Sequence, residues 1–166
     1  MELRIPRLAD KETVLEMMAE FEKYQSPHDG GFWDTENFSY EEWLESNQNQ
    51  EMGINLTEGW VPAIQLVAFS VKGKAIGFLN LRLCRSNFLL EEGGHIGYST
   101  RPSERGKGYA KESLRQGLQV AKGKNIKRAL VTCSTENPAS RAVILANGGE
   151  LEDVRNGTER YWIDLE

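Results

Sequence analysis

The sequence predicts a mixed α/β fold, and three observations indicate it. Segments 64–71 and 75–84 are rich in β-branched and aromatic residues and are separated by Lys-Gly-Lys, which predicts a β-hairpin. The stretch 94–112 has the pattern of a strand, a glycine-rich loop and the start of a helix. Asn156-Gly157 is a two-residue turn signal that predicts a second hairpin at the C-terminal end. No repeat or linker divides the chain, so we expect residues 1–166 to form a single domain.

The N-terminal part predicts a short edge strand at Leu3–Ile5 and two helices. The first helix is expected over 10–24 with Asp10 as its cap, and Ser39 has the spacing to open a second, short helix. Segment 47–60 is polar and ambiguous. Four aromatic residues in this part either form the walls of a binding site or pack a small satellite core. They are Phe32, Trp33, Trp43 and Trp60.

The C-terminal part predicts alternating helices and strands. A helix over 108–122 is ended by Gly123, and an apolar run at 127–133 predicts a strand covered on both faces. Asn137-Pro138 has the form of a helix cap and first helical residue, with the helix continuing through Ala146. The strands of the last hairpin are expected over 150–155 and 158–165.

The charge balance argues against nucleic acid as a partner. The 166 residues include 20 basic and 25 acidic side chains, a net charge of -5, which repels a polyphosphate. The same excess of carboxylates would attract a cationic amine, or would simply form a solvated surface.

The two cysteines and two histidines predict neither a disulfide framework nor a metal site. Cys84 and Cys133 each end an apolar strand-like run, which suits buried thiols in a reducing cytoplasm. His28 and His95 lie far apart in the sequence and show no ligand spacing. No window is apolar enough for a membrane span or signal core, so we expect a cytoplasmic protein.

The loop at 105–108 has the chemistry of a diphosphate site. Two basic side chains and two glycines stand beside the first turn of a helix, where unpaired amides and the helix dipole attract an anion. A P-loop does not fit, and a dinucleotide fingerprint fails because its third glycine position is Lys111. A loop that only needs glycine dihedrals remains the structural alternative.

Arg105 to Ala110, Arg-x-x-Gly-x-Ala, resembles the coenzyme A pyrophosphate signature of the GNAT acyltransferases. Asn137 to Ser140 resembles the family's Asn-x-x-Ala/Ser helix, and segments 94–98 and 160–163 resemble a bacterial branch of largely uncharacterised predicted acetyltransferases. The order of predicted elements is also similar. The resemblance implies about seven mostly antiparallel strands, with a parallel splayed central pair, and four helices.

The resemblance further implies an N-acetyltransferase that uses acetyl-CoA as co-substrate and no metal. It implies a small-molecule or peptide amine as acceptor, without nucleic acid or membrane as partner, and leaves a homodimer open. The implied cofactor-binding residues are Gly97, Tyr98, Ser99, Thr100, Arg105, Gly106, Lys107, Gly108, Tyr109, Ala110, Asn137 and Ser140.

His95 is the candidate base that removes the amine proton, because imidazole titrates near neutral pH. A structural histidine bonded to the backbone is the alternative for this residue. Glu91, Glu92 and Glu136 are carboxylates that could act through water.

Two positions depart from the family pattern. Thr132 stands where many members carry glutamate, and Ile144 where many carry a tyrosine acid, for which Tyr109 or Tyr161 could substitute. These departures leave open a second function, an acyl-CoA-binding regulatory module with weak or no catalysis.

Overall fold

The computed structural model describes residues 1–33, 36–56, 58–84 and 94–166. Segment 85–93, with the candidates Glu91 and Glu92, lies outside the described residues. Within those ranges there are seven strands and four α-helices, as expected. The helices are α1 (Lys11–Lys23), α2 (Tyr40–Met52), α3 (Tyr109–Gly123) and α4 (Pro138–Ala146). The strands are β1 (Glu2–Arg4), β2 (Ala63–Phe69), β3 (Ala75–Arg82), β4 (Ile96–Thr100), β5 (Arg128–Ser134), β6 (Glu150–Arg155) and β7 (Thr158–Asp164).

The strands form two sheets that meet edge to edge. The first has the order β1-β2-β3-β4 and the second β5-β7-β6, and neighbours within each sheet are antiparallel. The His95 amide, just before β4, donates to the carbonyl of Leu130 in β5 at 2.7 Å. Residues that follow this contact on both strands line one cavity, so β4 and β5 run in the same direction and diverge. This arrangement agrees with the expected splayed central pair.

Apolar side chains pack in two clusters. The larger lies under α3, where Gly117 allows close approach to β3 because an added Cβ would be 2.7 Å from a Leu79 methyl carbon. The second cluster joins α1 and α2 to the sheet and includes Phe21, Trp43 and Phe78. Trp43 is 7% exposed, which favours the satellite-core alternative for that residue.

The cap expected for α1 is wrong in one respect. Asp10 ends a short 3-10 turn and makes no side-chain bond to the start of α1. Its carboxylate instead accepts from Arg4 at 2.7 and 2.9 Å, and this hydrogen bond lowers the pKa of Asp10. The nearby guanidinium therefore outcompetes the helix amides. Ser39 does cap α2, accepting from the Glu42 amide at 3.4 Å.

No helix in the described ranges has the length and apolar composition that a bilayer span requires.

Candidate active site

The predicted phosphate loop connects β4 to α3 through a 3-10 turn at Pro102–Glu104. Gly106 and Gly108 adopt left-handed φ values of 78° and 84°, and an added Cβ at either would meet no atom within 4 Å. Gly108 is the N-cap of α3 and provides no side-chain cap. The first-turn amides of a 15-residue helix therefore lie beside open space, where a phosphate fits.

The two basic residues of the loop have different surroundings. Arg105 donates from Nε to the Thr100 carbonyl at 3.2 Å and from Nη2 to Ser26 at 2.6 Å, so it braces the loop against the end of β4. Lys107 pairs with Glu104 at 2.9 Å, and Lys74 pairs with the same carboxylate at 2.7 Å. Lys74 and then Lys107 lower the pKa of Glu104 to about 2. The two lysines therefore compensate the negative charge of the Glu104 carboxylate beside the expected anion site.

A cavity of about 550 Å³ opens over this loop, and we call it the cofactor-side cavity. It brings together most of the predicted cofactor residues: Tyr98, Ser99, Thr100, Arg105, Gly106, Gly108, Tyr109, Ala110, Asn137 and Ser140. Lys111, which the sequence analysis used only to reject a dinucleotide motif, also lines it. The Ser99 hydroxyl oxygen is buried and has no hydrogen-bond partner among the described residues. Such an orphan fits a site that binds a polar ligand.

The wall formed by α4 is tied to β4. The Asn137 side chain caps α4 by accepting from the Ser140 amide at 3.1 Å, as predicted. The Tyr98 hydroxyl lies 2.8 Å from the Ser140 hydroxyl oxygen, across the gap between the two sheets. Burial raises the pKa of Tyr98 to about 12, with the Ser140 hydrogen bond opposing it, so the phenol stays protonated.

A second cavity, of about 730 Å³, lies between the diverging ends of β4 and β5, and we call it the acceptor-side cavity. It shares Asp29, Tyr98, Asn137 and Ser140 with the cofactor-side cavity. Gly97 lines only this second cavity, with Arg82 against it: an added Cβ on Gly97 would be 3.0 Å from a guanidinium nitrogen. Burial lowers the pKa of Arg82, and Asp29 partly offsets this.

Residues 28–33, here called the acceptor loop, cover one side of that cavity. The Gly30 carbonyl accepts from the buried Gln65 amide at 2.7 Å, and the Phe32 carbonyl accepts from the Trp43 indole at 2.8 Å. Gly30 has φ of 79°, and an added Cβ would be 2.2 Å from the Gly97 carbonyl oxygen. The acceptor loop therefore packs directly on β4, the strand that carries the predicted cofactor-binding residues Gly97 to Thr100. Phe32 lines the cavity. Trp60 does not line it and packs on Phe32, with the ring centroids 5.4 Å apart.

His95 is 5% exposed and lines neither cavity. Its Nδ1 accepts from the Leu130 amide at 2.9 Å, next to the backbone bond between the same two residues. Nδ1 must therefore carry a lone pair rather than a proton. This geometry favours the structural alternative for His95, and its catalytic role stays a prediction.

The other acid and base candidates lie in different surroundings. Ile144 is fully buried, while Thr132 lines the acceptor-side cavity. Tyr161 is 3% exposed and donates its hydroxyl to Glu159 at 2.8 Å, whereas Tyr109 lines the cofactor-side cavity. Glu136 is exposed and lines neither cavity.

Cys133 places a thiol in the wall of the acceptor-side cavity. The thiol lies 3.7 Å from a Glu159 oxygen, and burial together with that carboxylate raises the pKa of Cys133 to about 11. A protonated thiol is a poor nucleophile toward a thioester. Cys84, which the sequence analysis expected to be buried as well, is exposed, because β3 ends at Arg82 before reaching it.

The family described as Acetyltransferase (GNAT) domain matches residues 1–150. The chain belongs to the GNAT acetyltransferase family. No curated protein matches the chain.

Several solved structures share the GNAT fold. Ribosomal-protein-S5-alanine acetyltransferase from Vibrio fischeri has a TM-score of 0.69 at 18% identity, covering 99% of this chain and 92% of that one. A mutant of spermidine N-acetyltransferase SpeG from Vibrio cholerae has a TM-score of 0.63 at 17% identity, covering 99% and 95%. yncA from Salmonella typhimurium, solved with its cofactor acetyl-CoA, has a TM-score of 0.63 at 17% identity, covering 99% and 94%.

In the described part of this GNAT protein, no three His, Cys, Asp or Glu side chains are grouped as a metal site would require.

Proposed function

We propose that residues 1–166 form one N-acetyltransferase domain that transfers the acetyl group of acetyl-CoA to a primary amine in a ternary complex. The observation that carries this proposal is the pair of cavities that meet at Tyr98 and Ser140. One has the amides and glycines suited to a diphosphate, and the other is lined by Ile96, Gly97 and Tyr98 of the same strand. Both substrates can therefore reach β4 together.

Acetyl-CoA supplies an acyl group already activated as a thioester, so the protein has to hold it and admit the amine. The α3 amides and Gly106–Gly108 would bind the diphosphate, with Arg105 bracing the loop from Thr100 to Ser26. The backbone of Gly97–Thr100 and the buried Ser99 hydroxyl would bind the pantetheine, and Asn137 would contact it from α4. A backbone amide of β4 directed at the developing oxyanion contributes roughly 3 kcal/mol to such a reaction.

The chemistry of the acceptor-side wall supports direct attack by the amine. A relay through an acetyl-cysteine would need a thiolate at Cys133, and the raised pKa of that thiol opposes one. The structural neighbours whose names include spermidine and a ribosomal-protein alanine both act on amines, which supports an amine as acceptor here.

A second function, acyl-CoA binding without efficient turnover, is favoured by Ile144. An isoleucine side chain at the family's tyrosine position has no acidic proton to give, and this one is fully buried. Under this alternative the cofactor-side cavity is retained and the acceptor-side cavity is not used for catalysis.

Thiol release from acetyl-CoA, measured with a panel of amines, distinguishes the two. Spermidine, lysine and a peptide with an N-terminal alanine cover polyamine, amino-acid and protein acceptors. We expect amine-dependent thiol release and an acetylated product. Binding of acetyl-CoA with no amine-dependent release would favour the regulatory module, and no binding at all would contradict both.

A further inference from the structure

We propose that His28, on the acceptor loop, is the base that removes the proton from the attacking amine. The inference rests on the acetyltransferase function proposed above and assigns a role within it. His28 lines the acceptor-side cavity together with Gly97 and Tyr98 of β4. His95, the histidine that the sequence suggested, does not line it.

One hydrogen bond sets the state of the His28 ring. Its Nδ1 lies 2.7 Å from the Gly31 carbonyl oxygen. A carbonyl can only accept, so Nδ1 must donate and carry the ring proton of the neutral form. The lone pair is then on Nε2, and no described residue bonds to that atom. His95 has the opposite assignment, because its Nδ1 accepts from an amide.

The ring is also held in place. It stacks on Trp33 with centroids 3.8 Å apart and an interplanar angle of 24°, and it meets Phe21 edge-on at 6.1 Å. The Trp33 indole donates to Glu22 at 2.7 Å, which fixes the stacking partner in turn. Gln65 acts as a positioning residue, since it holds the Gly30 carbonyl and thereby the loop.

The loop places this ring in the wall of the acceptor-side cavity. Gly30, two residues from His28, packs on the Gly97 carbonyl so closely that no Cβ could fit. Asp29, between them, lines both cavities, and Arg82 faces it from β3. These two charges, with Tyr98 and Cys133, are the other titratable groups of the acceptor-side cavity. The raised pKa values keep Cys133 and Tyr98 protonated, and the Asp29 carboxylate interacts with the Arg82 charge, which leaves the Nε2 lone pair of His28 as the base.

The step balances without a further reactant. Nε2 takes a proton from the ammonium form of the amine, which frees the nitrogen lone pair to form a bond to the acetyl carbon. The carbon–sulfur bond then breaks, and the coenzyme A thiolate leaves with the electron pair. The thiolate takes up the second ammonium proton, which leaves the nitrogen as the amide forms, and the imidazolium returns its own proton to solvent.

His28→Asn is the sharpest test, because the asparagine amide can still donate to the Gly31 carbonyl while no lone pair remains at the position of Nε2. We expect kcat/KM for the amine to fall by roughly 10² or more at pH 7. The increase in Tm caused by acetyl-CoA should be unchanged. The deficit should shrink as the assay pH approaches the amine pKa, near 10 for a lysine-like amine, because free amine then forms in solution.

If His28→Asn does not fold, a second variant tests the same role. His28→Gln places an amide near Nε2, and it should show the same loss with the same pH dependence. In His28→Ala, added imidazole should restore part of the rate. The inference is overturned if His28→Asn keeps the wild-type kcat/KM, or if the loss is independent of pH and imidazole. A wild-type protein that releases no thiol with any amine overturns the proposed function itself, and the inference with it.

Discussion

His28 and His95 show how a single hydrogen bond decides what an imidazole can do. Each ring uses Nδ1 to bond to the backbone, but His28 donates to the Gly31 carbonyl and His95 accepts from the Leu130 amide. A ring that accepts at Nδ1 must break that bond to be protonated there, whereas a ring that donates keeps Nε2 as its basic atom. The sequence contains both histidines but does not show which backbone group each ring bonds to. Their roles follow only from the backbone groups that each one meets.

Paired substitutions at His95 test its role. His95→Asn provides an oxygen that can accept from the Leu130 amide, so we expect near wild-type stability and turnover. His95→Ala leaves that buried amide without a partner, which should lower the free energy of unfolding by roughly 1–3 kcal/mol. Urea denaturation and kcat/KM measure the two effects. A loss of turnover in a fully stable His95→Asn protein would instead support the catalytic role predicted from the sequence.

The two thiols should differ sharply in reactivity. Cys84 is exposed, whereas Cys133 is buried and its pKa is raised to about 11. At pH 8 only roughly one Cys133 in 10³ is then a thiolate. We expect a thiol reagent to label one cysteine in the native protein and both in urea. Mass spectrometry after incubation with acetyl-CoA should detect no acetylated Cys133, and its detection would contradict direct transfer.

At the scale of the elements, the loop before α3 depends on backbone conformation. Gly108→Val should lower stability by roughly 1–2 kcal/mol, because a β-branched residue is strained at φ of 84°. It should also abolish the increase in Tm caused by acetyl-CoA, which reflects about 2.7 kcal/mol at 100 times the Kd in the wild type. Thermal unfolding with and without millimolar acetyl-CoA measures both.

Gly73 provides a matched control for this substitution. It lies in the β2–β3 turn with φ of 83°, and an added Cβ would likewise meet nothing within 4 Å. Gly73→Val should therefore show the same strain and keep the full response to acetyl-CoA. A full increase in Tm with acetyl-CoA in both variants would show that Gly108 is not part of the cofactor site.

The start of α4 combines a structural and a proposed binding role in Asn137. Asn137→Ala removes the cap, which should lower stability by about 1 kcal/mol. We expect acetyl-CoA affinity to fall as well, as measured by calorimetry. Ser39→Ala removes the cap of α2, which lies outside both cavities, so it should lower stability without changing affinity. Unchanged affinity in Asn137→Ala would leave only the capping role.

At the scale of the molecule, local patterns predicted the elements well. The strand expected over 150–155 is β6 (Glu150–Arg155), and the helix expected over 108–122 is α3 (Tyr109–Gly123). Turn chemistry and periodicity act between neighbours in the sequence, so they can be recognised there. Most of the predicted cofactor residues also line one cavity, because they lie within one strand–loop–helix unit and the next helix cap.

The acceptor side could not be predicted in the same way. His28 lines the same cavity as Gly97 of β4 because Gln65 holds the Gly30 carbonyl and Gly30 packs on Gly97, and these contacts join segments far apart in the chain. Asp10 was expected to cap α1, but Arg4 takes its carboxylate. The adjacent glycines Gly30-Gly31 beside one of two histidines were the only local sign of a close approach. Contacts between distant segments are absent from any short window of sequence, and a window that contains both Arg4 and Asp10 does not show which partner the carboxylate takes.

The last prediction concerns how the second sheet holds α4, and it follows from the acid titration of Glu159. This β7 carboxylate accepts from Arg141 of α4 at 2.8 and 2.7 Å and from Tyr161 at 2.8 Å. Arg141, followed by Tyr161, lowers the pKa of Glu159 to about 2. A carboxyl whose pKa is lowered by folding stabilises the native state above its unfolded pKa, near 4.3, and that contribution is lost as the pH falls toward 2.

We therefore expect the free energy of unfolding to fall between pH 6 and pH 3, and Glu159→Gln to reduce that dependence. Urea denaturation at the two pH values measures it. Glu112, whose pKa is also about 2 through Arg115, is the control, because its partner is 53% exposed and the pair lies on the surface of α3. Salt should screen the contribution of Glu112 more than that of Glu159, whose side chain is 10% exposed. An unchanged pH dependence in Glu159→Gln would show that this carboxylate does not hold α4, and with it Asn137 and Ser140, against the second sheet.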